Sequence, residues 1–304
     1  MLKVFICIAI VLNILFANPS FSVTPKIKIE NKDKYDLGKK LYFDPNLSSD
    51  KTVACVNCHI FELGGADDNR VSYGVHNKTG VMNSPSIFNV KFNIAQDWIG
   101  KYTTVKDRSK MAFLSKIEMA GNTKDALRYI KSNKTLNDLF KKVYNNFDGD
   151  NIFDAIAYYV EHLTTPNSKF DKFLKGDIKA LSKDEIKGYK LFKDYGCVSC
   201  HNGVNVGGNM YQKFGIFNED EIKRDDNLGR YNITKNEYDK YVFKVPSLRY
   251  VSKTSPYLHN GKIDDLQEVI KEMGEYQLGV EIPSKDILLI ELFLKTLEGD
   301  IPNE

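Results

Sequence analysis

Two short segments of the chain carry the same set of reactive side chains. One reads Cys-Val-Asn-Cys-His at residues 55–59, and the other reads Cys-Val-Ser-Cys-His at residues 197–201. Two thiols one turn apart can form thioether bonds with the two vinyl groups of haem, and a histidine directly after them can reach the iron. The pattern therefore predicts two attachment sites for c-type haem. The residues predicted to hold haem are Cys55, Cys58, His59, Cys197, Cys200 and His201.

Zinc binding and thiol redox chemistry are the alternatives for these cysteines. The pairs begin at positions 55 and 197, whereas the two cysteine pairs of a zinc site usually lie within about 15 to 20 residues of each other. A structural zinc site also has no need for a histidine after both pairs. A redox pair of the thioredoxin type favours a single pair in a βαβ setting, which the sequence does not indicate.

The composition excludes several classes of protein. The 304 residues are 42% hydrophobic and 27% charged, which is typical of an ordinary globular protein and not of a disordered, collagen-like or multispan membrane protein. The formal net charge of +3 is too small a basic excess to indicate nucleic acid as a partner. With 5 cysteines, the chain is also far from a disulfide-stapled miniprotein.

The first 22 residues have the pattern of a secretory leader. Lys3 precedes an apolar run over residues 4–17, and small residues stand at Ser20 and Ser22. The run is shorter than the roughly 20 residues that a membrane-spanning helix needs, and an uncleaved anchor is the alternative. We expect cleavage after Ser22, which removes Cys7 and leaves a mature form without a membrane span.

The elements around the two motifs are similar, which indicates an internal repeat. The segment Gly-Lys-Lys-Leu-Tyr-Phe at residues 38–43 precedes the first motif, and Gly-Tyr-Lys-Leu-Phe at residues 188–192 precedes the second. A pair of glycines follows each histidine. Pro166 disfavours helical geometry at Thr165 and indicates a linker. We predict a mainly α fold of two cytochrome c-like domains with extensive loops, each binding one covalent haem, over residues 23–165 and 166–304.

Apolar periodicity and caps predict the helices, whereas strand signals are sparse. The predicted helices are residues 125–143, 151–163, 183–192 and 284–297.

At this point the chain resembles the bacterial dihaem cytochrome c peroxidases. The matching segments, in order, are LGKKLYFDP (37–45), NSPSIFN (83–89), TTPNS (164–168), FKVPSLR (243–249), SPYLHNG (255–261) and YQLG (276–279). The resemblance implies a periplasmic, commonly homodimeric enzyme that reduces hydrogen peroxide to water with electrons from a small cytochrome c or a copper protein (cupredoxin). A dihaem oxidase that matures tryptophan tryptophylquinone shares much of this pattern. A dihaem cytochrome that only transfers electrons is a further alternative.

The resemblance also implies the remaining axial ligands of the haem irons. Met273 stands at the axial methionine of the C-terminal haem, where the quinone-maturing oxidase has tyrosine; on composition alone, Met119 and Met210 are rivals. His76 resembles the displaceable ligand of the N-terminal haem, with a loop histidine of no ligand role as the alternative. His259 resembles a residue beside the C-terminal haem, where it is expected to contact a propionate.

Three residues are candidates for catalysis by the same resemblance. Glu118 stands at the distal glutamate, which is expected to move a proton between the peroxide oxygens. Trp98 matches an aromatic residue between the haems that assists electron transfer. The family usually has Trp-Asp-Gly-Arg and then a distal glutamine, but this chain has Trp-Ile-Gly-Lys at residues 98–101 and then Arg108. Arg108 either polarises the O–O bond or points outward.

Members of the family hold a calcium ion between their domains. Asn83 matches the side-chain ligand, and Thr254 and Pro256 match two backbone carbonyl donors. Mixed oxygen ligands of this kind suit calcium, although asparagine and carbonyl groups are common everywhere.

Overall fold

The structure, a computed structural model, describes residues 20–218 and 227–302. Over these residues it is mainly helical, as predicted. The helices are α1 Lys32–Tyr42, α2 Val105–Leu114, α3 Thr123–Ser132, α4 Lys134–Val143, α5 Gly149–Glu161, α6 Lys169–Leu174, α7 Lys183–Asp194, α8 Tyr231–Thr234, α9 Leu266–Met273 and α10 Ser284–Lys295. Strands β1 Tyr211–Lys213 and β2 Val242–Lys244 form an antiparallel pair, with Tyr211 opposite Lys244.

The N-terminal half is built on the crossing of α1 and α5. Gly38 lies at this crossing, because a Cβ atom there would be 2.0 Å from the backbone oxygen of Ala155. Only a residue without a side chain allows the two helices to approach so closely. A core of buried apolar side chains from residues 37–163 surrounds the crossing, and Tyr250 joins it from the C-terminal half.

The C-terminal half repeats the same arrangement with α7 and α10. Helix α7 begins with a capping box between Ser182 and Glu185. A Cβ atom at Gly188 would lie 1.8 Å from the backbone oxygen of Leu289. The second core contains side chains from residues 170–297 and one from the N-terminal end of the described chain. The predicted repeat therefore corresponds to a repeated helix crossing. In each half, the helix that precedes the Cys-x-x-Cys-His segment crosses a helix that follows it.

The side chain that joins this second core is Phe21. It is 6% exposed and makes edge-to-face contacts with Phe170 and Tyr189. Its neighbours bond along the chain after the second motif, since the amide of Gly203 donates to the oxygen of Ser20 at 2.7 Å. The leader expected over residues 1–22 thus overlaps the folded chain at its last three residues, while residues 1–19 lie outside the described residues.

The structure differs from the predicted helices in one interior break. The expected helix over residues 125–143 is two helices, α3 and α4, that meet at Asn133. Asn133 has extended backbone angles, and its side chain accepts a hydrogen bond from the amide of Leu136, so that it caps the start of α4. Five further helices, α1, α2, α6, α8 and α9, were not predicted. Side chains cap the start of four of them, namely those of Asn31, Thr104, Ser168 and Asp265.

The two halves are held together by asparagine side chains near the predicted linker. Asn89 donates to the hydroxyl of Thr165 at 2.8 Å and accepts from its amide at 2.9 Å. Asn205 donates to the side chain of Asn93 at 2.7 Å. Between residues 20 and 302, leaving out 219–226, no helix is long and apolar enough to span a membrane.

Candidate functional site

One cavity of about 790 Å³ takes in both Cys-x-x-Cys-His segments. Most of the predicted site residues line it. Those residues are Cys55, Cys58, His59, Asn83, Trp98, Arg108, Glu118, Cys197, Cys200, His201, Thr254, Pro256 and Met273. His76 is not among the lining residues. The structure thus brings together side chains that are more than 200 positions apart in the sequence, and it places one predicted ligand elsewhere.

The first motif presents its histidine to the cavity in a fixed orientation. Cys55 begins a short 3-10 turn, and all four cysteines at the two motifs are free thiols. Nδ1 of His59 donates to the backbone oxygen of Gly65 at 3.0 Å. Burial lowers the pKa of His59 to about 4, with a smaller contribution from the positive charge of Arg108. The imidazole is therefore neutral at ordinary pH, and Nε2 is left to bind a metal.

The second motif is built in the same way but holds its histidine differently. Burial lowers the pKa of His201 to about 4 as well. Its Nδ1 is buried and has no hydrogen bond of good geometry, although backbone oxygens of Val206 and Pro246 lie close enough to favour a proton there. Gly207 allows this approach, since a Cβ atom would lie 2.1 Å from the oxygen of Pro246.

Met273 is the last residue of α9 and lines the cavity together with the second motif. Of its two rivals, Met210 does not line the cavity. Met119 lines it but is 5% exposed and belongs to the N-terminal core around α1 and α5. Among the three candidates, Met273 is therefore the one whose position fits an axial ligand of a C-terminal haem.

Arg108 and Glu118 form an ion pair that the sequence analysis did not anticipate. Both Nη atoms of Arg108 lie 3.2 Å from Oε2 of Glu118, and each side chain is about one-third exposed, at 34% and 37%. The guanidinium also lies 6.0 Å from the ring centre of Tyr102. Arg108 therefore points into the cavity and not outward. The carboxylate keeps its second oxygen free of this guanidinium.

Trp98 joins the two halves at the cavity wall. Its indole Nε1 donates to the backbone oxygen of Asn83 at 2.8 Å. Its own backbone oxygen accepts from the amide of Lys244 at 2.8 Å. Its ring meets His259 edge to face at 6.4 Å, and that histidine stacks on Phe243 at 4.1 Å. Trp98 therefore contacts both halves of the chain at the wall of the shared cavity.

His76 lies on the surface, away from the cavity. Its side chain is 66% exposed, and its Nδ1 is 3.6 Å from a carboxylate oxygen of Asp50. The backbone of His76 is left-handed, and its amide donates to Asp50 at 2.9 Å. The loop that carries His76 nevertheless contacts Glu118, because the amide of Val75 donates to the backbone oxygen of Glu118 at 2.8 Å.

The three residues predicted to bind calcium line the same cavity. Asn83 is 5% exposed, and its side-chain amide donates to the oxygen of Asn69 at 3.3 Å. Within the described chain its side-chain oxygen accepts no hydrogen bond. An amide oxygen held in this way keeps its lone pairs available.

The residues present fit covalent haem. Each motif offers two free thiols and a buried neutral histidine, and the space beside them is shared by apolar side chains from both cores. A tetrapyrrole needs this kind of apolar enclosure with a nitrogen ligand below the iron. Among residues 20–218 and 227–302, no group of three or more histidine, cysteine, aspartate or glutamate side chains could hold a metal ion.

Comparison with known proteins gives the same class. The family of di-haem cytochrome c peroxidases matches residues 32–179. The chain is 42% identical over 287 residues to cytochrome c551 peroxidase of Nitrosomonas europaea, covering 94% of this chain and 84% of that protein. It is 42% identical over 271 residues to cytochrome c peroxidase of Escherichia coli, covering 88% of this chain and 58% of that protein. The chain therefore belongs to the di-haem cytochrome c peroxidase family.

A solved structure supports the fold. It is that of a MauG-like protein associated with microbial copper homeostasis, with a TM-score of 0.82 and 21% identity. The match covers 92% of this chain and 94% of that one. Both halves of the chain therefore lie within a known arrangement.

Proposed function

We propose that this chain reduces hydrogen peroxide to water with electrons from a small cytochrome c or a cupredoxin, and that it binds two haem c groups to do so. Its family supports this proposal. The observation that carries it is the Arg108–Glu118 pair, which lines the cavity into which both attachment motifs open. When bound, the haems supply the iron that accepts electrons and cleaves the O–O bond.

Glu118 is the proton carrier in this proposal. Reduction of H₂O₂ to two water molecules consumes two protons and two electrons, and a carboxylate at the cavity wall can accept a proton from one peroxide oxygen and give it to the other. Arg108 holds one oxygen of this carboxylate with two N–H groups. The guanidinium also offers a permanent positive charge to the departing oxygen, because it does not deprotonate in proteins.

In the proposal, the other lining residues give the two haems different roles. Met273 would hold the iron of the C-terminal haem through its thioether, and a haem held in this way would have a raised potential suited to accepting electrons. His59 and His201 would each hold one haem iron through the imidazole, and Trp98 lies at the cavity wall between the two halves. These roles rest on the shared cavity and on the contacts of Trp98 with both halves.

His76 is proposed as the displaceable ligand of the N-terminal haem. The exposed side chain beside Asp50 fits the displaced position, in which the distal space next to Glu118 is open. The backbone bond from Val75 to Glu118 provides a mechanical connection between this loop and the catalytic carboxylate.

Steady-state turnover of peroxide with a reduced cytochrome as donor tests the proposed activity. We expect peroxide-dependent oxidation of the donor at a rate far above that of the haem-free chain. A pure electron-transfer cytochrome would exchange electrons with the donor but show no dependence on peroxide. A quinone-maturing oxidase would show a tyrosine-ligated haem in its spectrum, and Met273 argues against it.

The finer assignments are also proposals. We propose that the two domains comprise residues 23–165 and 166–304. We also propose that the protein is located in the periplasm and forms a homodimer. The two separate cores support the boundary, since their members fall on either side of Pro166 with Tyr250 and Phe21 as exceptions. Light scattering of the purified protein at micromolar concentration measures the oligomer, and fractionation of cells measures the location.

Calcium is proposed at Asn83, Thr254 and Pro256. Removing calcium with a chelator should lower the melting temperature and the turnover rate together, and added calcium should restore both. Asn83→Asp keeps an oxygen ligand and should retain binding, whereas Asn83→Leu should not. A protein that contains no calcium after purification in its presence would contradict the proposal.

A further inference from the structure

A buried lysine in the cavity wall has no role in the chemistry described so far. Lys244 is 6% exposed and lines the cavity between the two motifs. Burial lowers its pKa to about 8, and the carboxylate of Asp97 opposes this shift. An ammonium group removed from water is costly unless an anion compensates it.

The one carboxylate that acts on this ammonium, that of Asp97, offsets only part of the effect of burial. Within the described residues, Lys244 has no ion pair and its side chain donates no hydrogen bond. The charge of Asp97 affects the pKa of Lys244, but its carboxylate forms no salt bridge with the ammonium. Oδ1 of Asp97 accepts instead from the amides of Ile99 and Lys101 at 2.9 and 3.2 Å. The two arginines of the cavity wall that carry an ion pair differ from it in this respect, since Arg249 bonds to Asp171 and Arg108 to Glu118.

The position of Lys244 connects it to both halves. Its amide bonds to the oxygen of Trp98, and two residues later Pro246 lies against His201. The adjacent Phe243 stacks on His259. The strand that carries Lys244 therefore contacts both halves at the wall of the shared cavity. Haem carries two propionate groups on one edge.

We propose that Lys244 binds a propionate of one of the two haems. The ammonium then gains an anionic partner at hydrogen-bonding distance, and its positive charge stabilises the electron added to that haem. Lys244 is thus a positioning residue that sets a reduction potential, and it touches neither peroxide nor iron.

Lys244→Gln and Lys244→Arg test this assignment in the haem-loaded protein. Spectroelectrochemical titration should show one of the two haem potentials lowered in Lys244→Gln by about 59 mV or more, which corresponds to a tenfold smaller equilibrium constant for reduction. Lys244→Arg should keep the potential near that of the unchanged protein. Lys240→Gln, which removes an exposed charge that pairs with Glu237, is the matched control. Two potentials in Lys244→Gln equal to those of the control would overturn the proposal.

A second readout does not depend on the glutamine variant being folded. The propionate-bending vibration of the reduced haem reports hydrogen bonds to its carboxylates. It should differ between the unchanged protein and Lys244→Arg, because a guanidinium and an ammonium bond to a carboxylate with different geometry. An identical vibration in both proteins would also overturn the assignment.

An independent observation concerns residues 20–22. The oxygen of Ser20 and the amide of Ser22 both bond to Gly203, two residues after His201. The oxygen of Ser22 accepts from the buried guanidinium of Arg249 at 3.1 Å. With Phe21 in the C-terminal core, cleavage after Ser22 would remove a core side chain and leave Arg249 without one partner.

We infer that the leader is removed upstream of Ser20, so that the mature chain keeps Phe21 as a strap on the second haem motif. This inference rests on the proposed export. The intact mass and N-terminal sequence of the haem-loaded protein, produced with its own leader, test it. We expect a chain that begins at or before Ser20. A chain that begins at Val23 would overturn the retained strap alone, whereas a chain that keeps Met1 would overturn both the cleavage and the export.

Discussion

The two haem motifs are supported by the same arrangement of helices, but different side chains surround them in the cavity. Each follows a helix whose glycine, Gly38 or Gly188, touches the backbone of a second helix, and each presents a buried neutral histidine. The ion pair of Arg108 and Glu118 lies close enough to the first motif to affect the pKa of Cys55, whereas Met273 lines the shared cavity from the end of α9 in the C-terminal half. The repeated elements therefore position the attachment motifs, whereas the side chains that differ between the two halves lie outside the repeat.

The largest effect is expected at the Arg108–Glu118 pair, which distinguishes the N-terminal half from the C-terminal half. Glu118→Gln keeps the shape of the side chain and still accepts a bond from Arg108, but it cannot accept and return a proton. We expect peroxide turnover to fall by about 10² to 10⁴ at saturating donor, with haem content and both potentials unchanged.

Two further variants make that measurement decisive. Glu62→Gln, at an exposed acid of the same half, is the control and should leave the rate unchanged. Arg108→Gln should have a smaller effect than Glu118→Gln, if the arginine mainly holds the carboxylate. A Glu118→Gln rate within threefold of the unchanged enzyme would show that Glu118 is an ordinary surface carboxylate.

The shared foundation is tested by adding one methyl group at each helix crossing. In Gly38→Ala and Gly188→Ala the new Cβ atom meets a backbone oxygen at about 2 Å, so the helices must move apart. Overpacking of this kind costs about 1–3 kcal/mol of unfolding free energy. Chemical denaturation should show similar losses in both variants, and Gly80→Ala, whose Cβ would have ordinary contacts from 3.4 Å, should show little. A loss in only one of the two would mean that the repeat is not structurally equivalent.

Met273 is the side chain that distinguishes the C-terminal half in this comparison. Met273→Ala should leave both haems attached, because attachment uses only cysteines. The potential of the C-terminal haem should fall, with an equilibrium constant for reduction at least about tenfold smaller, or about 59 mV. Met119→Ala is the control within the same cavity. If both potentials stay unchanged in Met273→Ala, that residue is not an axial ligand.

The attachment motifs could be predicted from the sequence, because thioether formation needs a fixed local spacing. The helix capped by Ser182 could be predicted for the same reason, as its capping box lies within four residues. The break at Asn133 was missed, because an asparagine can either continue a helix or cap the next one. Met273 could be placed only through the resemblance, since no local pattern distinguishes an axial methionine from a core one.

Contacts between distant segments could not be predicted at all. The pairing of Arg108 with Glu118 depends on how α2 meets the loop that follows it, and the isolation of Lys244 depends on what the surrounding chain leaves unpaired. The exposed position of His76 reflects its left-handed backbone and its contact with Asp50. None of these features has a signature in spacing or composition.

The central claim is that the N-terminal haem reacts with peroxide and the C-terminal haem accepts electrons. The most direct measurement is the spectrum of the protein reduced by one electron, compared with His76→Gly in the fully oxidised state. We predict that the half-reduced protein has a reduced haem with thioether ligation, which is lost in Met273→Ala, and an open oxidised haem that binds peroxide. The oxidised His76→Gly protein should bind peroxide without reduction. A peroxide-binding haem that carries the thioether ligation, or an N-terminal haem that stays closed in both proteins, would contradict the account.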